Sequence, residues 1–291
     1  MVQPGRMGRI LGLLAALMLA GVPVAGVAQP LLVQAVVPDA PGIVSTLHLG
    51  ELMPVLRDEA VAQADEMGAE IFDAPDAAAW SDAVRRIHDP ARLARLLDAA
   101  ITDALPDASD PRIAAALDFY ASPLGQRLLA LELSARRAMA EPGGEDAARA
   151  AFDLAETQGR PRVDAIRSLI DDADLVEPNV AGALNAALAF SQGFADAGGL
   201  PGQGSQGDLL MQVAVQEPEI RSETVAWVES YLLLAYSGLS DDELAQYATF
   251  AATPGGRALG SVLFAGFDDL FTQTARDMGM AAARQLVGQS L

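Results

Sequence analysis

The chain has 291 residues, 39 acidic against 19 basic side chains, a formal charge of −20 and 51% apolar residues. Every basic residue is arginine, and cysteine is absent. Those totals exclude a disulfide framework, a thiolate metal centre and a cysteine nucleophile. They argue against nucleic acid as a partner, because such a charge repels phosphate, and the apolar content exceeds that of a disordered acidic chain.

Residues 1–28 read as a cleavable export signal. Arg6 and Arg9 supply a basic start, Ile10 to Ala20 an uncharged run rich in Leu and Ala, and Gly26 and Ala28 the small residues of a cleavage site. Pro23 and Gly26 cut the run short of the ~20 apolar residues that a spanning helix needs. The mature chain is therefore expected in the periplasm, without a membrane span. A proline-containing lead-in, Pro30 to Pro41, follows.

From there apolar residues recur at helical spacing, and no stretch alternates with period two. Leu49, Met53, Leu56, Ala60, Met67 and Ile71 stripe the first long segment. Ile220, Trp227, Tyr231 and Leu234 share one face further on, and Leu259, Leu263, Phe267, Leu270 and Met278 share another near the end. Helix starts carry a polar or acidic residue followed by proline, at Asp89-Pro90, Asp110-Pro111, Ser122-Pro123, Glu177-Pro178, Glu217-Pro218 and Thr253-Pro254. Proline suits the first helical turn, where its missing N–H has no partner to lose, and Asp, Ser or Thr before it caps the free amides. Ser240 to Glu243 has the pattern of a capping box.

The punctuation predicts an all-α, multi-helix bundle of roughly eight to ten helices joined by short turns. The expected organisation is a first helical unit over 46–140, connecting helices over 145–197 and a second unit over 208–291. Gly198 to Gly207 is read as a glycine-rich linker between the halves. The uncharged stretch Asn179 to Ala195 is read as a buried core helix, because Asn185, Ser191 and Gln192 interrupt it.

The two units share an internal repeat. Asp110 to Leu128 contains Phe119, Ser122, Pro123 and Gly125; Asp241 to Leu259 contains Phe250, Thr253, Pro254 and Gly256 at the same spacing. Each copy is expected to be a helix ending just after an inward phenylalanine, a Ser or Thr cap, and a second helix beginning at proline. Glycine in that first turn lets the preceding helix approach closely.

The pattern Phe-Tyr-x-Ser-Pro-x-Gly, downstream of an export signal, resembles the bacterial domain-of-unknown-function family 2059. Phe119, Ser122, Pro123 and Gly125 match it directly. Phe250, Thr253, Pro254 and Gly256 match it with Thr for Ser and an added Gly255. The resemblance implies a small helical domain exported to the envelope and supplies no reaction.

Chemical candidates are few. Gly202-Gln-Gly204-Ser-Gln-Gly207 satisfies Gly-x-Gly-x-x-Gly, but a dinucleotide site needs a strand before it, so it is read as linker. His48 with Glu51, and His88, lack the further ligands of a metal site; surface or capping roles are expected. Asp171, Asp172 and Asp174 lack the glycine and glutamate of a calcium loop. Arg85-Arg86 and Arg136-Arg137 are read as ion-pairing residues on helix surfaces. Trp227, Tyr231 and Phe271 are read as core, or as the lining of an apolar groove if one exists. No catalytic, metal or cofactor set is expected. The function expected is a non-catalytic binding or scaffolding component of the envelope, partnered by another envelope protein or an apolar small molecule. An enzyme such as a hydrolase with acidic residues in a cleft, and a carrier of an apolar ligand, stay open as alternatives.

Overall fold

A computed structural model describes residues 39–105, 110–199 and 206–288. The export signal read at residues 1–28 lies outside the described residues, as does most of the glycine-rich linker. Thirteen α-helices and one 3-10 turn occur among the described residues, with no strand. They are α1 (Ala40–Thr46), α2 (Leu49–Ile71), α3 (Ala74–Ile87), α4 (Pro90–Ala104), α5 (Pro111–Tyr120), α6 (Pro123–Ala140) and α7 (Gly144–Thr157). Then come α8 (Pro161–Asp172), α9 (Val176–Asp196), α10 (Gln206–Ala214), α11 (Glu217–Ala235), the 3-10 turn (Tyr236–Gly238), α12 (Asp241–Ala251) and α13 (Pro254–Gly288).

The count exceeds the eight to ten expected because several breaks lack the acid–proline pair. Between α1 and α2 the chain turns at His48, whose φ of 52° is left-handed, and before α7 it turns at Gly143, with φ 75°. At Asp73-Ala74-Pro75 the proline stands one place later than in the pattern sought. The caps themselves form as expected. Asp89, Asp110, Ser122, Ser240 and Thr253 each accept an N–H from the first turn they precede, Ser240 and Glu243 close the capping box, and Asp39 and Asp73 are two caps beyond those read from the sequence. Glu177 and Glu217 instead lie inside α9 and α11, where their charge meets the positive helix end.

The last helix, 35 residues long and therefore about 50 Å from end to end, is the spine of the molecule. It packs along α9 and carries α3, α4 and α5 on other faces. Its backbone touches α9 directly: a Cβ on Gly279 would stand 2.0 Å from the Phe190 carbonyl oxygen, and one on Gly193 2.1 Å from that of Arg276. α11 packs on α6, α7, α8 and α9 to form the second layer.

The main apolar cluster runs from Ala40 to Ala275 and draws on both repeat units. A smaller cluster of Ala60, Ala64, Phe72, Trp80, Val84, Met278 and Ala282 fills the far end. There the indole N–H of Trp80 donates to the Ala64 carbonyl at 3.0 Å, which satisfies the polar atom of a fully buried ring. Asn179 to Ala195 lies within α9, whose Asn179, Val180, Ala183, Ala186, Ala187 and Ala189 are buried. Among the described residues no helix is long and apolar enough to cross a membrane.

Candidate functional site

The two repeated elbows meet each other. In the first, Ser122 Oγ accepts the Gly125 N–H at 3.1 Å; in the second, Thr253 Oγ1 accepts that of Gly256 at 3.0 Å. A Cβ on Gly125 would fall 2.4 Å from the Phe119 carbonyl oxygen, and one on Gly256 2.6 Å from that of Phe250. Both glycines are therefore required by a carbonyl of the preceding helix. The two phenylalanines are half-buried, not the inward core residues expected. Their rings stack on each other, centroids 3.7 Å apart and 5° from parallel, so each covers the face the other leaves open. Tyr120 presents its edge to Phe250 at 5.4 Å and 89°.

His48 belongs to this junction. Gln126 Nε2 donates to the carbonyls of Tyr120 and Thr46, at 2.8 and 3.2 Å, which leaves its Oε1 to accept from His48 Nε2 at 2.9 Å. Glu51 lies 3.5 Å from the other ring nitrogen. The histidine thus ties the α1–α2 break to the first elbow.

Behind the phenylalanine pair lies the densest group of ionisable side chains with displaced pKa values. Glu132, on α6, is fully buried. The Tyr236 hydroxyl donates to its Oε1 at 2.5 Å, and the Tyr231 hydroxyl donates to its backbone carbonyl at 3.1 Å. The Tyr247 hydroxyl interacts with those of Tyr236 and Tyr120. All four tyrosines of the chain thus stand around Glu132, and one of them, Tyr236, bonds its carboxyl group. Its Oε2 is buried with no hydrogen-bond partner.

Burial pushes the Glu132 carboxyl well above the usual carboxylate range, and the Tyr236 hydrogen bond opposes this only in part. That burial favours the neutral acid over the carboxylate. Burial likewise pushes the phenols of Tyr120, Tyr231 and Tyr236 well above their ordinary value. One turn further along α6, Arg136 is also buried and not on the surface as expected. Its guanidinium pairs with Glu59 through Nε and Nη2, each at 2.7 Å, and lies over the Trp227 ring, 5.2 Å from its centroid. The indole face replaces water on the side away from the carboxylate.

Sequence reasoning missed Glu132 and misplaced Arg136, although a signal existed. The buried face of α6 runs Leu128, Leu129, Glu132, Leu133, Ala135, Arg136 and Met139. Both charges sit on the apolar stripe, where an amphipathic helix that exposes its charges has none.

The remaining candidates disperse. Trp227 and Tyr231 stack at 4.7 Å on α11, and Phe271 packs beside Phe267 on α13; all three are buried in the main cluster. His88 ends α3 at 1% exposure, its Nδ1–H donating to the Val84 carbonyl at 3.0 Å, and burial lowers its pKa to about 4. Asp171, Asp172 and Asp174 are exposed at the end of α8. Among the described residues no group of three His, Asp or Glu side chains could hold a metal ion. Arg85 pairs with Asp82 on the surface. Most of Gly202 to Gly207 lies outside the described residues.

Residues 93–153 match the family model described as "Uncharacterized protein conserved in bacteria" (DUF2059). The matched segment holds the first elbow together with Glu132 and Arg136; the second elbow lies beyond it. No curated protein and no solved structure matches the chain.

Proposed function

We propose that this is an exported helical protein of the bacterial envelope that acts by binding another protein, without catalysis. Support for export comes from the signal pattern of residues 1–28, and for a bacterial setting from the family matched by residues 93–153. The groups with the strongest acid–base character, Glu132 and its four tyrosines, are closed off from solvent and so hold elements together. A catalytic acid has to reach its substrate's proton.

The observation that carries the binding reading is the surface of α10. Leu209 and Val213 bury one side of this helix against the fold. On the other side Leu210 and Met211, with Val215 just past the helix end, are 49%, 68% and 75% exposed. A surface helix that is apolar on both sides has an unburied face. Those side chains form one exposed strip along α10 and the turn that follows it. A small apolar molecule needs a concave site, whereas a stripe of this shape suits the groove of a partner protein.

The test compares the exported protein with a Leu210→Gln, Met211→Gln, Val215→Gln variant, each recovered from the periplasm and weighed by native mass spectrometry. A protein retained by the parent and lost from the variant, with equal thermal midpoints, is expected. A parent that runs bare, or a complex that survives the triple change, overturns the reading.

A further inference from the structure

Glu132 stands where the two repeat units close on each other. It projects from α6, the second helix of the first elbow. Tyr231 reaches it from α11, Tyr236 from the 3-10 turn that follows, and Tyr247 faces it from α12, the first helix of the second elbow. From α5 comes Tyr120. The charged groups nearby are Arg136 on its own helix, held to Glu59 of α2, with Glu145 of α7 acting on the same guanidinium. Arg136 thus already has a carboxylate, and among the described residues Tyr236 is the group that bonds the Glu132 carboxyl. Around the carboxyl stand four phenols, one of which donates to it, and one carboxyl oxygen has no partner at all.

We propose that Glu132 is a proton-dependent lock between the two repeat units, closed while the carboxyl is a neutral acid and released when it ionises. The neutral acid accepts the Tyr236 O–H at Oε1 and carries its own proton on Oε2, and a buried neutral O–H without a partner costs less than a buried charge. A carboxylate in the same place would carry a full charge with one donor and a bare oxygen, a state that a protein interior does not hold. On ionising, Glu132 must gain water. The shortest route to that is separation of the 3-10 turn and α12 from α6, since those elements bring Tyr236 and Tyr247 to the carboxyl. That separation also breaks exposed contacts: Arg127, on α6, donates to the Gly238 carbonyl and pairs with Glu243, and Arg162, on α8, donates to the Leu239 carbonyl at 2.7 Å.

The composition makes the device readable. With no lysine and no cysteine, few side chains compete with a raised carboxyl group for a change of charge above the ordinary carboxylate range. A folded-state pKa raised above the ordinary glutamate value means that the folded protein holds a proton the unfolded chain has lost. Stability is then fully present below the unfolded value and falls as pH rises toward the folded one. The unfolding equilibrium constant grows up to tenfold per pH unit across that window.

The experiment measures hydrogen exchange, corrected for intrinsic rate, at pH 6 and pH 9 in the parent, Glu132→Gln and Tyr236→Phe, each with a urea unfolding curve. In the parent, residues 228–251 are expected to lose tenfold or more of their protection at pH 9, while residues 49–87 keep theirs. Glu132→Gln should show no such loss. Tyr236→Phe removes the one hydrogen bond that favours the charged form and should move the release to higher pH, which keeps the test decisive if the glutamine variant folds poorly. Equal exchange at the two pH values in the parent, the same loss in Glu132→Gln, or a release in Tyr236→Phe at lower pH than in the parent overturns the proposal.

Discussion

The stack of Phe119 on Phe250 joins the two copies of the repeat, and its contribution can be isolated. Full burial would put the cost of Phe→Ala at about 3–5 kcal/mol. Both rings are half-buried, so each single replacement should cost about 2 kcal/mol on the same scale. A stacked aromatic pair adds about 0.5–1.5 kcal/mol beyond the area it covers, and at 3.7 Å and 5° this pair is in close register. The double variant should therefore lose less than the sum of the singles by about 0.5–1.5 kcal/mol. Urea unfolding followed by tryptophan fluorescence is suited to the measurement, since the two tryptophans, Trp80 and Trp227, are both buried. A coupling below about 0.3 kcal/mol, within the additivity expected of independent sites, would show that the elbows do not support each other. A single-site loss of 4 kcal/mol or so, on the scale of full burial, would show that the rings are core.

Further outcomes follow from the same contacts. Gly125→Ala and Gly256→Ala each drive a methyl group into a carbonyl of the preceding helix and should destabilise by about 1–3 kcal/mol. Gly50→Ala, whose added methyl meets nothing within 4 Å, should be neutral or stabilise by up to about 1 kcal/mol; thermal melts distinguish the two classes. Arg136→Met strips Glu59 of its partner and should cost about 2–4 kcal/mol, part of it regained in the double variant with Glu59→Gln, as read from urea midpoints. His88 titrates near 4 in the folded protein against an ordinary 6.5, so the unfolded chain takes up the proton first as pH falls. The stability lost between pH 6.5 and 4 on this account is about 3 kcal/mol, and the gap between the parent and His88→Phe should shrink by that amount over the range.

The helical architecture was legible because helix ends are a local matter. Asp89, Asp110 and Ser122 cap through their own side chains, and the proline after each is compatible with little else. The breaks at His48 and Gly143 were not legible, since a left-handed residue is chosen by what packs on either side of it. Sequence spacing could pair Phe119 with Phe250 as equivalents but carried no sign that they touch, because an internal repeat fixes likeness and not orientation. Glu132 illustrates the same limit from the other side. Its place on the apolar stripe of α6 was readable, but the four tyrosines that surround it come from four further elements, α5, α11, the 3-10 turn and α12, which only the tertiary fold brings together.

The most direct measurement is of the Glu132 carboxyl itself, by carbon-13 NMR of protein labelled at the glutamate side-chain carboxyl, with the resonance assigned by its absence from Glu132→Gln. A sealed acid predicts the chemical shift of the protonated form at pH 7, with no inflection between pH 4 and 6. An inflection near the ordinary 4.5 of an open carboxylate would contradict a closed acidic centre between the two elbows.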